Sequence, residues 1–238
     1  MPTPATHPRT FRRHPTRLLA VLLAALLGAL LLAPTPAHAA AGELRNGDSG
    51  RAVTALQNDL LDLGYWLDGA DGEFGPNTAQ AVLALQKAAG IARDGVVGPD
   101  TRAALADGAR PSASSSGDAL EIDLERQLLL VVSGGEVEYT LNTSTGSGKP
   151  YLGSDGSERI ATTPTGSYAV FRQVSGWDPG PYGALYAPMY FNGGIAVHGY
   201  PSVPAYPASH GCARVSLPAM DWLREEGHIA VGTTVVVR

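Results

Sequence analysis

The hydrophobic pattern of this 238-residue chain changes its period halfway along, and that change constrains the fold more than any other feature. Before residue 107, apolar residues recur every three to four positions, which is typical of amphipathic helices. After residue 118 they alternate or form short runs between glycine-containing turns, which is typical of strands. The segment between them, DGARPSASSSGD, is rich in Ser, Ala, Gly and Pro. We therefore predict two blocks of different structural class, residues 42–108 and 119–238, with a flexible linker at 109–118.

The first forty-one residues are predicted to direct export. Arginines precede an uninterrupted apolar run at 18–32, and small residues follow it up to Ala37-His38-Ala39. A basic region, an apolar region and an A-x-A site together describe a secretory signal peptide. A retained membrane anchor is the alternative, but the run of 15 apolar residues is shorter than the roughly 20 needed to span a bilayer. We predict a signal peptide over 1–41, a secreted or cell-wall location, and no transmembrane segment after cleavage.

The charge and cysteine counts exclude several functions. Without the four leader arginines the chain has 13 basic and 22 acidic residues. Nucleic acids are bound mainly through Lys and Arg that neutralise phosphates, so we predict no nucleic-acid partner. Cys212 is the only cysteine, which excludes an intramolecular disulfide and a cysteine-rich zinc module. Neither a metal nor a cofactor is predicted.

The first block contains an internal repeat of the form D-G-x-x-G-P-x-T, at 71–78 and 94–101. Asp-Gly supplies a tight turn, and Gly-Pro opens a helix because proline is tolerated at the first helical position. An amphipathic helix capped by Ser49 is predicted upstream, from the spacing of Val53, Leu56 and Leu60. We predict a compact all-α domain of three helices.

These motifs resemble the peptidoglycan-binding-1 module of many cell-wall enzymes. The matching text is L-R-N-G-D-S-G at 44–50, L-G-Y at 63–65, both repeat copies and A-V-L-A-L-Q-K-A-A-G at 81–90. One departure is Leu85, where the family usually carries an aromatic residue. The resemblance implies that the first block binds peptidoglycan. Most of these residues are typical of core and turn positions, so the binding function comes from the resemblance alone.

The second block is predicted to be mainly β. Alternation or apolar runs indicate strands at 120–124, 128–132, 137–141, 167–172, 195–198 and 233–237, with a hairpin turn at Gly134-Gly135. A single helix is predicted after the cap residue Ser216, ending before Gly227.

The residues that carry chemistry lie near the end of the second block. The motif is S-H-G-C-A-R at 209–214, and His198-Gly199 stands fourteen residues before the cysteine. A thiol needs a neighbouring base or cation to act as a nucleophile, and His198 and His210 are candidates. Gly211 permits a backbone angle that can turn N–H groups toward one point, as an oxyanion hole requires. A zinc site is the alternative, but no fourth ligand stands at metal-binding spacing.

This constellation resembles the catalytic signature of the L,D-transpeptidase, or YkuD-like, family. Further matching stretches are I-D-L-E-R-Q-L-L-L-V at 122–131 and T-P-T-G-S-Y at 163–168. The resemblance implies a β-sandwich-like catalytic domain whose cysteine forms a thioester with a peptidoglycan stem peptide. Its partners would be a stem tetrapeptide as donor and an amine as acceptor. Because the interval between His198 and the cysteine motif is short, the shape of the loop at 200–208 is not predicted.

The resemblance also implies roles for single residues. Cys212 would be the nucleophile and His198 the proton acceptor and donor, with His210 completing the catalytic set by shaping the turn. Gly199 would orient the ring of His198 through its carbonyl, and Ser209 belongs to the same orienting group. The N–H groups of Gly211 and Cys212 would form the oxyanion hole. Residues expected to bind substrate are Arg214, Tyr186 and Tyr190.

Two alternatives remain open on the sequence. In an L,D-carboxypeptidase, water instead of an amine would resolve the thioester, and the acceptor is selected by the shape of the cleft. In a non-catalytic wall-binding protein the second block would be vestigial, although the complete set of motif residues disfavours this. A flexible linker would also let the two blocks fold and act independently, coupled only by effective concentration.

Overall fold

A computed structural model of the protein describes residues 42–238. The predicted signal peptide at 1–41 lies outside the described residues. Within 42–238, no helix combines the length and the apolar character needed to cross a membrane.

The first block contains three helices among the described residues, as predicted. They are α1 (Arg51–Asp62), α2 (Pro76–Ala89) and α3 (Pro99–Ala106), and the last two begin at the prolines of the repeats. The predicted cap Ser49 is wrong. The residue at the N-terminus of α1 is Gly50, whose φ of 105° favours glycine and whose lack of a side chain leaves the helix without a side-chain cap.

Buried glutamines explain the repeated motif of the first block. The Nε2 of Gln57 donates to Asp71 Oδ1 at 2.7 Å and to Thr78 Oγ1 at 3.0 Å. Gln86 makes the equivalent bonds to the aspartate and threonine of the second copy. Asp and Thr of each copy therefore satisfy a buried amide, which is a structural role.

The second block has one helix, α4 (Leu217–Glu225), whose predicted cap Ser216 accepts a hydrogen bond from the N–H of Ala219. Its strands in chain order are β1 (Ala119–Asp123), β2 (Leu128–Ser133), β3 (Glu136–Asn142), β4 (Pro150–Leu152), β5 (Glu158–Ile160), β6 (Gly166–Ala169), β7 (Arg172–Gln173), β8 (Trp177–Gly180), β9 (Gly183–Asn192), β10 (Ile195–Gly199), β11 (Ala213–Val215) and β12 (Thr234–Val237).

Two sheets organise these strands. The first has the order β3-β2-β1-β12-β6, with β1 and β12 parallel. The second has the order β11-β10-β9-β7, with β8 also paired to β9 and with β10 and β11 parallel. Strands β4 and β5 form a separate two-stranded ribbon. The predicted mainly β, sandwich-like class is confirmed.

Both faces of the first sheet are covered. On one face of β2, Leu129 and Val131 join a core that includes residues of the second sheet. On the other face, Leu128, Leu130 and Val132 join a core that includes residues from the helices of the first block. The sheet therefore lies between the second sheet and the first block, and residues 42–238 form one compact unit.

The expectation of a flexible linker with two independent blocks is wrong. Glu121 is completely buried, and its carboxylate accepts hydrogen bonds from the N–H groups of Ser114 and Ser115. The hydroxyl of Tyr65 donates to the carbonyl of Ala109 at 2.5 Å. A buried carboxylate must be paired, and the small residues of the segment let its backbone supply the donors.

Candidate active site

The parallel pairing of β10 and β11 brings the predicted site residues together. His198 is the register partner of Arg214, and Val197 is the partner of Ala213. Cys212, two positions before Arg214, therefore lies diagonally from His198 on the same face, since side chains alternate along strands. Val197 and Ala213 point the other way, into the core. His198, Cys212 and Arg214 line one cavity of about 680 Å³.

The ring of His198 is held as a neutral base. It is 1% exposed, and its Nδ1 lies 2.8 Å from the carbonyl oxygen of Gly199. A carbonyl only accepts, so Nδ1 carries the proton and Nε2 has a vacant lone pair. Burial, with a smaller contribution from Arg214, lowers the pKa of His198 to about 4. The imidazole is therefore neutral at physiological pH and able to take a proton at Nε2.

Gly199 can accept this role because it has no side chain. A Cβ at this position would stand 2.8 Å from the ring of Tyr186 and 3.2 Å from Met220 of α4. The close approach of α4 to the end of β10 fixes the carbonyl that orients the histidine.

The thiol of Cys212 is half-buried at the floor of the cavity. Its Sγ lies 3.8 Å from the carbonyl oxygen of Gly194. Burial raises the pKa of Cys212, while the N–H of Ala196 and the charge of Arg214 lower it by smaller amounts. The resting thiol is consequently protonated near neutral pH, and its activation requires a base.

Ser209 and Thr163 fix the turn that carries the cysteine. Ser209 Oγ donates to the carbonyl of Cys212 at 2.6 Å and accepts from the N–H of Gly211 at 3.0 Å. Thr163 Oγ1 donates to the carbonyl of Gly211 at 2.6 Å. Gly211 itself has a φ of 144°, and a Cβ there would stand 2.9 Å from the carbonyl of Thr162.

This turn corrects one prediction for the oxyanion hole. The N–H of Gly211 is bonded to the Ser209 hydroxyl and does not face the cavity as a spare donor. The N–H of Cys212 stays the predicted donor. Sequence spacing could not show this, because the geometry depends on which way the serine side chain turns.

His210 lies in the cavity wall with its ring packed on aromatic residues. It stacks on Tyr182 at 4.9 Å between ring centroids and meets the edge of Tyr151 at 4.8 Å. Tyr151 belongs to the β4-β5 ribbon and Tyr182 precedes β9. His210 is two residues from Cys212, so these ring contacts connect the catalytic turn to the ribbon. This fits the predicted role of His210 in shaping the turn.

The two tyrosines expected to bind substrate have different positions. Tyr190 lines the cavity, where its hydroxyl donates to Asp178 at 2.7 Å and the Arg172 guanidinium covers its ring at 3.7 Å. Tyr186 does not line it, contrary to the prediction. Its hydroxyl donates to Asp221 at 2.8 Å and its ring packs beside Gly199. Regular alternation would place Tyr186 on the same face as Tyr190, but Ala187 between them has a φ of 48° and the pairing of β9 with β10 is bulged at this point.

The cavity is cationic although the chain is acidic overall. Arg159, Arg172 and Arg214 line it, against the single acidic side chain of Asp178. Arg159 pairs with Asp155 at 2.8 Å and Arg172 lies 3.6 Å from Asp178. Within residues 42–238, Arg214 has no ion pair, and its buried Nε has no hydrogen-bond partner.

The guanidinium of Arg214 lies 4.2 Å from the centroid of the Tyr200 ring. This stacking fixes the plane of the guanidinium and leaves its donors available in the cavity. The predicted placement of Arg214 in the cleft is therefore consistent with the geometry.

Several cavity residues were missed by the sequence analysis. Tyr151, Tyr182, Arg172 and Asp178 lie in segments with no motif, so spacing carried no signal for them. Thr163 was visible as part of T-P-T-G-S-Y, but only the fold shows that its hydroxyl reaches Gly211.

A lone thiol and a neutral, oriented imidazole on one sheet face are typical of enzymes with a cysteine nucleophile and a histidine base. The family model for the L,D-transpeptidase catalytic domain, YkuD, matches residues 117–237, just over half of the chain. The chain therefore belongs to the L,D-transpeptidase family. The model PG_binding_1, for a peptidoglycan binding domain, matches residues 49–105.

The similar proteins include one solved L,D-transpeptidase structure and two curated enzymes of other activities. The crystal structure of an L,D-transpeptidase from Xylanimonas cellulosilytica DSM 15894 is 48% identical, with a TM-score of 0.81, covering 84% of this chain and 98% of that one. The N-acetylmuramoyl-L-alanine amidase CwlL of Bacillus licheniformis is 54% identical over 65 residues, which are 26% of this chain. The zinc D-Ala-D-Ala carboxypeptidase of Streptomyces albus G is 40% identical over an alignment of 115 positions, which covers 38% of this chain. These matches span only 18% of the amidase and 43% of the carboxypeptidase.

Proposed function

We propose that the protein is an exported L,D-transpeptidase that cross-links or modifies peptidoglycan stem peptides through a thioester on Cys212. The observation that carries this proposal is the neutral His198, oriented by the Gly199 carbonyl, on the same sheet face as the only thiol of the chain. The peptidoglycan-binding and L,D-transpeptidase families of the two blocks support the substrate class.

In the first half-reaction His198 Nε2 takes the proton of Cys212 Sγ. The thiolate attacks the carbonyl carbon of the L-configured residue that precedes the terminal D-residue of the donor. On this proposal the N–H of Cys212 stabilises the oxyanion of the tetrahedral intermediate. As the intermediate collapses, the carbon–nitrogen bond breaks, and the imidazolium gives its proton to the leaving amine.

In the second half-reaction the thioester is resolved. An amine of a neighbouring stem attacks the thioester carbonyl while the neutral His198 takes its proton. The new peptide bond forms, the carbon–sulfur bond breaks, and the proton returns to Cys212. The thioester retains the energy of the broken peptide bond, so the reaction needs no nucleotide.

The cationic cavity fits an anionic donor. A stem peptide carries carboxylates, and the stacked guanidinium of Arg214 presents a planar fork that matches a carboxylate. Arg214 and Tyr190 are therefore the proposed binding residues. Because the chain is acidic overall, the positive charge at this cavity favours binding of an anionic donor here over the rest of the surface.

Secretion and wall attachment complete the proposal. The substrate of both family domains lies outside the cytoplasmic membrane, which agrees with the signal peptide predicted over 1–41. The domain boundaries proposed are 42–108 for the peptidoglycan-binding domain, 109–118 for the linker and 119–238 for the catalytic domain.

Product analysis tests the proposed reaction and its main alternative. Residues 42–238 are incubated with a soluble tetrapeptide donor, with and without an amine acceptor, and the products are separated and weighed. A transpeptidase yields the donor–acceptor product, whereas an L,D-carboxypeptidase yields only the tripeptide even with excess acceptor. Recovery of unchanged donor in both arms would contradict both activities.

The histidine assignment predicts a specific pH dependence. Above about pH 4 His198 is neutral and accepts the thiol proton, so the acylation rate is expected to fall as the pH drops through this value. His198→Gln is expected to lower the rate by about 10²-fold or more and to remove this acid limb. Stopped-flow or quenched acylation between pH 3.5 and 8 measures both effects.

His210→Gln is the matched control for this prediction, since His210 lies in the same cavity but contacts Tyr151 and Tyr182. We expect it to keep the acid limb. If His210→Gln removes the limb and His198→Gln retains it, the roles of the two histidines are reversed.

A further inference from the structure

Lys87 crosses from the first block into the second. It lies on α2 and is completely buried. Its Nζ donates to the backbone carbonyls of Gln127 and Thr143, both at 2.9 Å, and to Oδ1 of Asn142. All three acceptors belong to the second block and none is a carboxylate. In the protonated form all three N–H donors of Nζ are therefore used, and they tie three points of the catalytic block to one helix of the first.

Stability alone is a poor explanation for this lysine. Removing an ammonium from water carries a desolvation penalty, and here no opposite charge offsets it. Burial, with a smaller effect of Arg93, lowers the pKa of Lys87 to about 7. An apolar side chain would avoid that penalty, but it would leave the carbonyl of Thr143 and the Oδ1 of Asn142 without this donor. The directional bonds of the lysine therefore point to a role in fixing geometry.

One route of hydrogen bonds leads from Lys87 to the nucleophile. Gln127, whose carbonyl Lys87 holds, has a φ of 61°, a left-handed conformation that few side chains adopt. Its Oε1 accepts from the N–H of Thr145 at 2.9 Å. The carbonyl of Thr145 accepts from the N–H of Ser209 at 2.9 Å, and Ser209 Oγ donates to the carbonyl of Cys212.

A second route leads from the same helix to the loop between the two catalytic segments. Asn142 Nδ2 donates to Gln80 Oε1 at 2.5 Å and to the carbonyl of Val203 at 3.1 Å. Gln80 Nε2 donates to the same carbonyl at 3.2 Å. Val203 is buried in the loop at 200–208, which connects His198 to the cysteine motif. The first block thus contacts this loop directly.

A third route reaches Arg214. The carbonyl of Thr143 accepts from Lys87, and Thr143 Oγ1 donates to the carbonyl of Arg214 at 2.7 Å. The three routes converge on the segments that carry the nucleophile, the substrate-side loop and the proposed carboxylate-binding residue.

We propose that Lys87 and Gln80 of the peptidoglycan-binding block are positioning residues for the active site of the catalytic block. They hold Gln127, Asn142 and Thr143, which in turn hold the cysteine turn and the loop at 200–208. The first block is on this account part of the active-site scaffold in addition to being a wall-binding module. The effect on turnover rests on the proposed transpeptidase function.

The test uses the chain 42–238 with Lys87→Met and, separately, Gln80→Met. Arg51→Met is the matched control, because Arg51 is an exposed cation of the same block that forms no part of the routes and is not among the groups that shift the pKa of Lys87. Thermal melts establish that each variant is folded at the assay temperature. Gln80 is only half-buried, so Gln80→Met keeps the test decisive if Lys87→Met does not fold.

We expect kcat for acylation by a soluble tetrapeptide donor to fall about 10-fold in both variants, with KM within about twofold of the wild type, because sub-ångström misplacement slows chemistry more than binding. Arg51→Met is expected to match the wild type. A wild-type kcat in folded Lys87→Met and Gln80→Met overturns the proposal.

A second readout does not depend on the proposed reaction. Cys212 is the only cysteine, so its alkylation by iodoacetamide can be followed as a function of pH in the same proteins. We expect the midpoint of the alkylation profile to move toward that of an unhindered thiol in both variants, because a looser turn buries Cys212 less. If the wild type is not acylated by any donor, the proposed function fails, and an unchanged alkylation profile then overturns the positioning role separately.

Discussion

Replacing Cys212 by alanine is expected to reduce acylation by a tetrapeptide donor at least about 10³-fold, to the level of the uncatalysed background. Cys212 is the only cysteine of the chain, and it lines the same cavity as His198. The measurement is the rate at which the terminal D-residue is released from the donor.

The fold is expected to survive this substitution, since no disulfide is lost and the turn is held by the Oγ of Ser209 and the Oγ1 of Thr163. A melting temperature within about 2 °C of the wild type would show this. Cys212→Ser is the matched control for size and polarity. It is also expected to be inactive, because a neutral histidine deprotonates a hydroxyl far less readily than a thiol. Turnover of the alanine variant at even a tenth of the wild-type rate would contradict the covalent mechanism.

Removing the first block is expected to destabilise the catalytic block severely. In the fragment 119–238 the side chains of Leu128, Leu130 and Val132, now fully buried or nearly so, would face water. Burying such a side chain contributes about 1.5–3 kcal/mol, and whole domains are stable by only about 5–15 kcal/mol. We expect a fall in melting temperature of more than about 10 °C, or aggregation through the exposed sheet face.

Size-exclusion chromatography and thermal melts of 119–238 beside 42–238 test this expectation. Addition of the separate fragment 42–118, the first block with the linker segment, is the control, since it is expected to restore solubility if the loss comes from the uncovered face. A monomeric fragment 119–238 that melts like the longer chain and acylates a soluble donor at the same rate would contradict the shared core. The two blocks would then be independent folding units.

The sequence predicted the first block well because its signals are local. Proline at the start of α2 and α3 and the apolar spacing of α1 depend only on neighbouring residues. The cap of α1 was missed because Gly50 supplies a backbone angle, which a search for capping side chains does not detect. The function of the repeat was also hidden, since the partners of its Asp and Thr are glutamines on the helix that precedes each copy.

The sequence contains one sign that the two blocks pack together, but the composition of the segment at 109–118 pointed to independent blocks. The run Leu128 to Val132 is apolar without alternation, which is typical of a strand covered on both faces. The second cover is the first block. The residues at 109–118 have the composition of a flexible segment, but Glu121 and Tyr65 give their backbone fixed partners. Those partners are distant in sequence or buried by tertiary contacts, so composition could not reveal them.

The active-site residues divide in the same way, into those marked by a local motif and those that matter only through tertiary contacts. The motif at 209–214 and His198 were predicted because chemistry restricts which residue types can occupy them, and the pairing of β10 with β11 joins them. Lys87, Gln127 and Thr145 were not predicted, because ordinary side chains become important there only through the contacts of the fold. The placement of Tyr186 failed for a related reason, since the bulges in the pairing of β9 with β10 shift which side chains face the cavity.

The central claim is that Cys212 becomes acylated by a stem peptide with loss of its terminal residue. Intact-mass spectrometry of residues 42–238, quenched in acid during incubation with a tetrapeptide donor and no amine acceptor, tests it most directly. The account predicts an added mass equal to the donor minus the free terminal D-amino acid, mapped to Cys212 by peptide digestion and absent from Cys212→Ala. An adduct that retains the terminal residue, an adduct on another residue, or release of the D-residue from Cys212→Ala would contradict it.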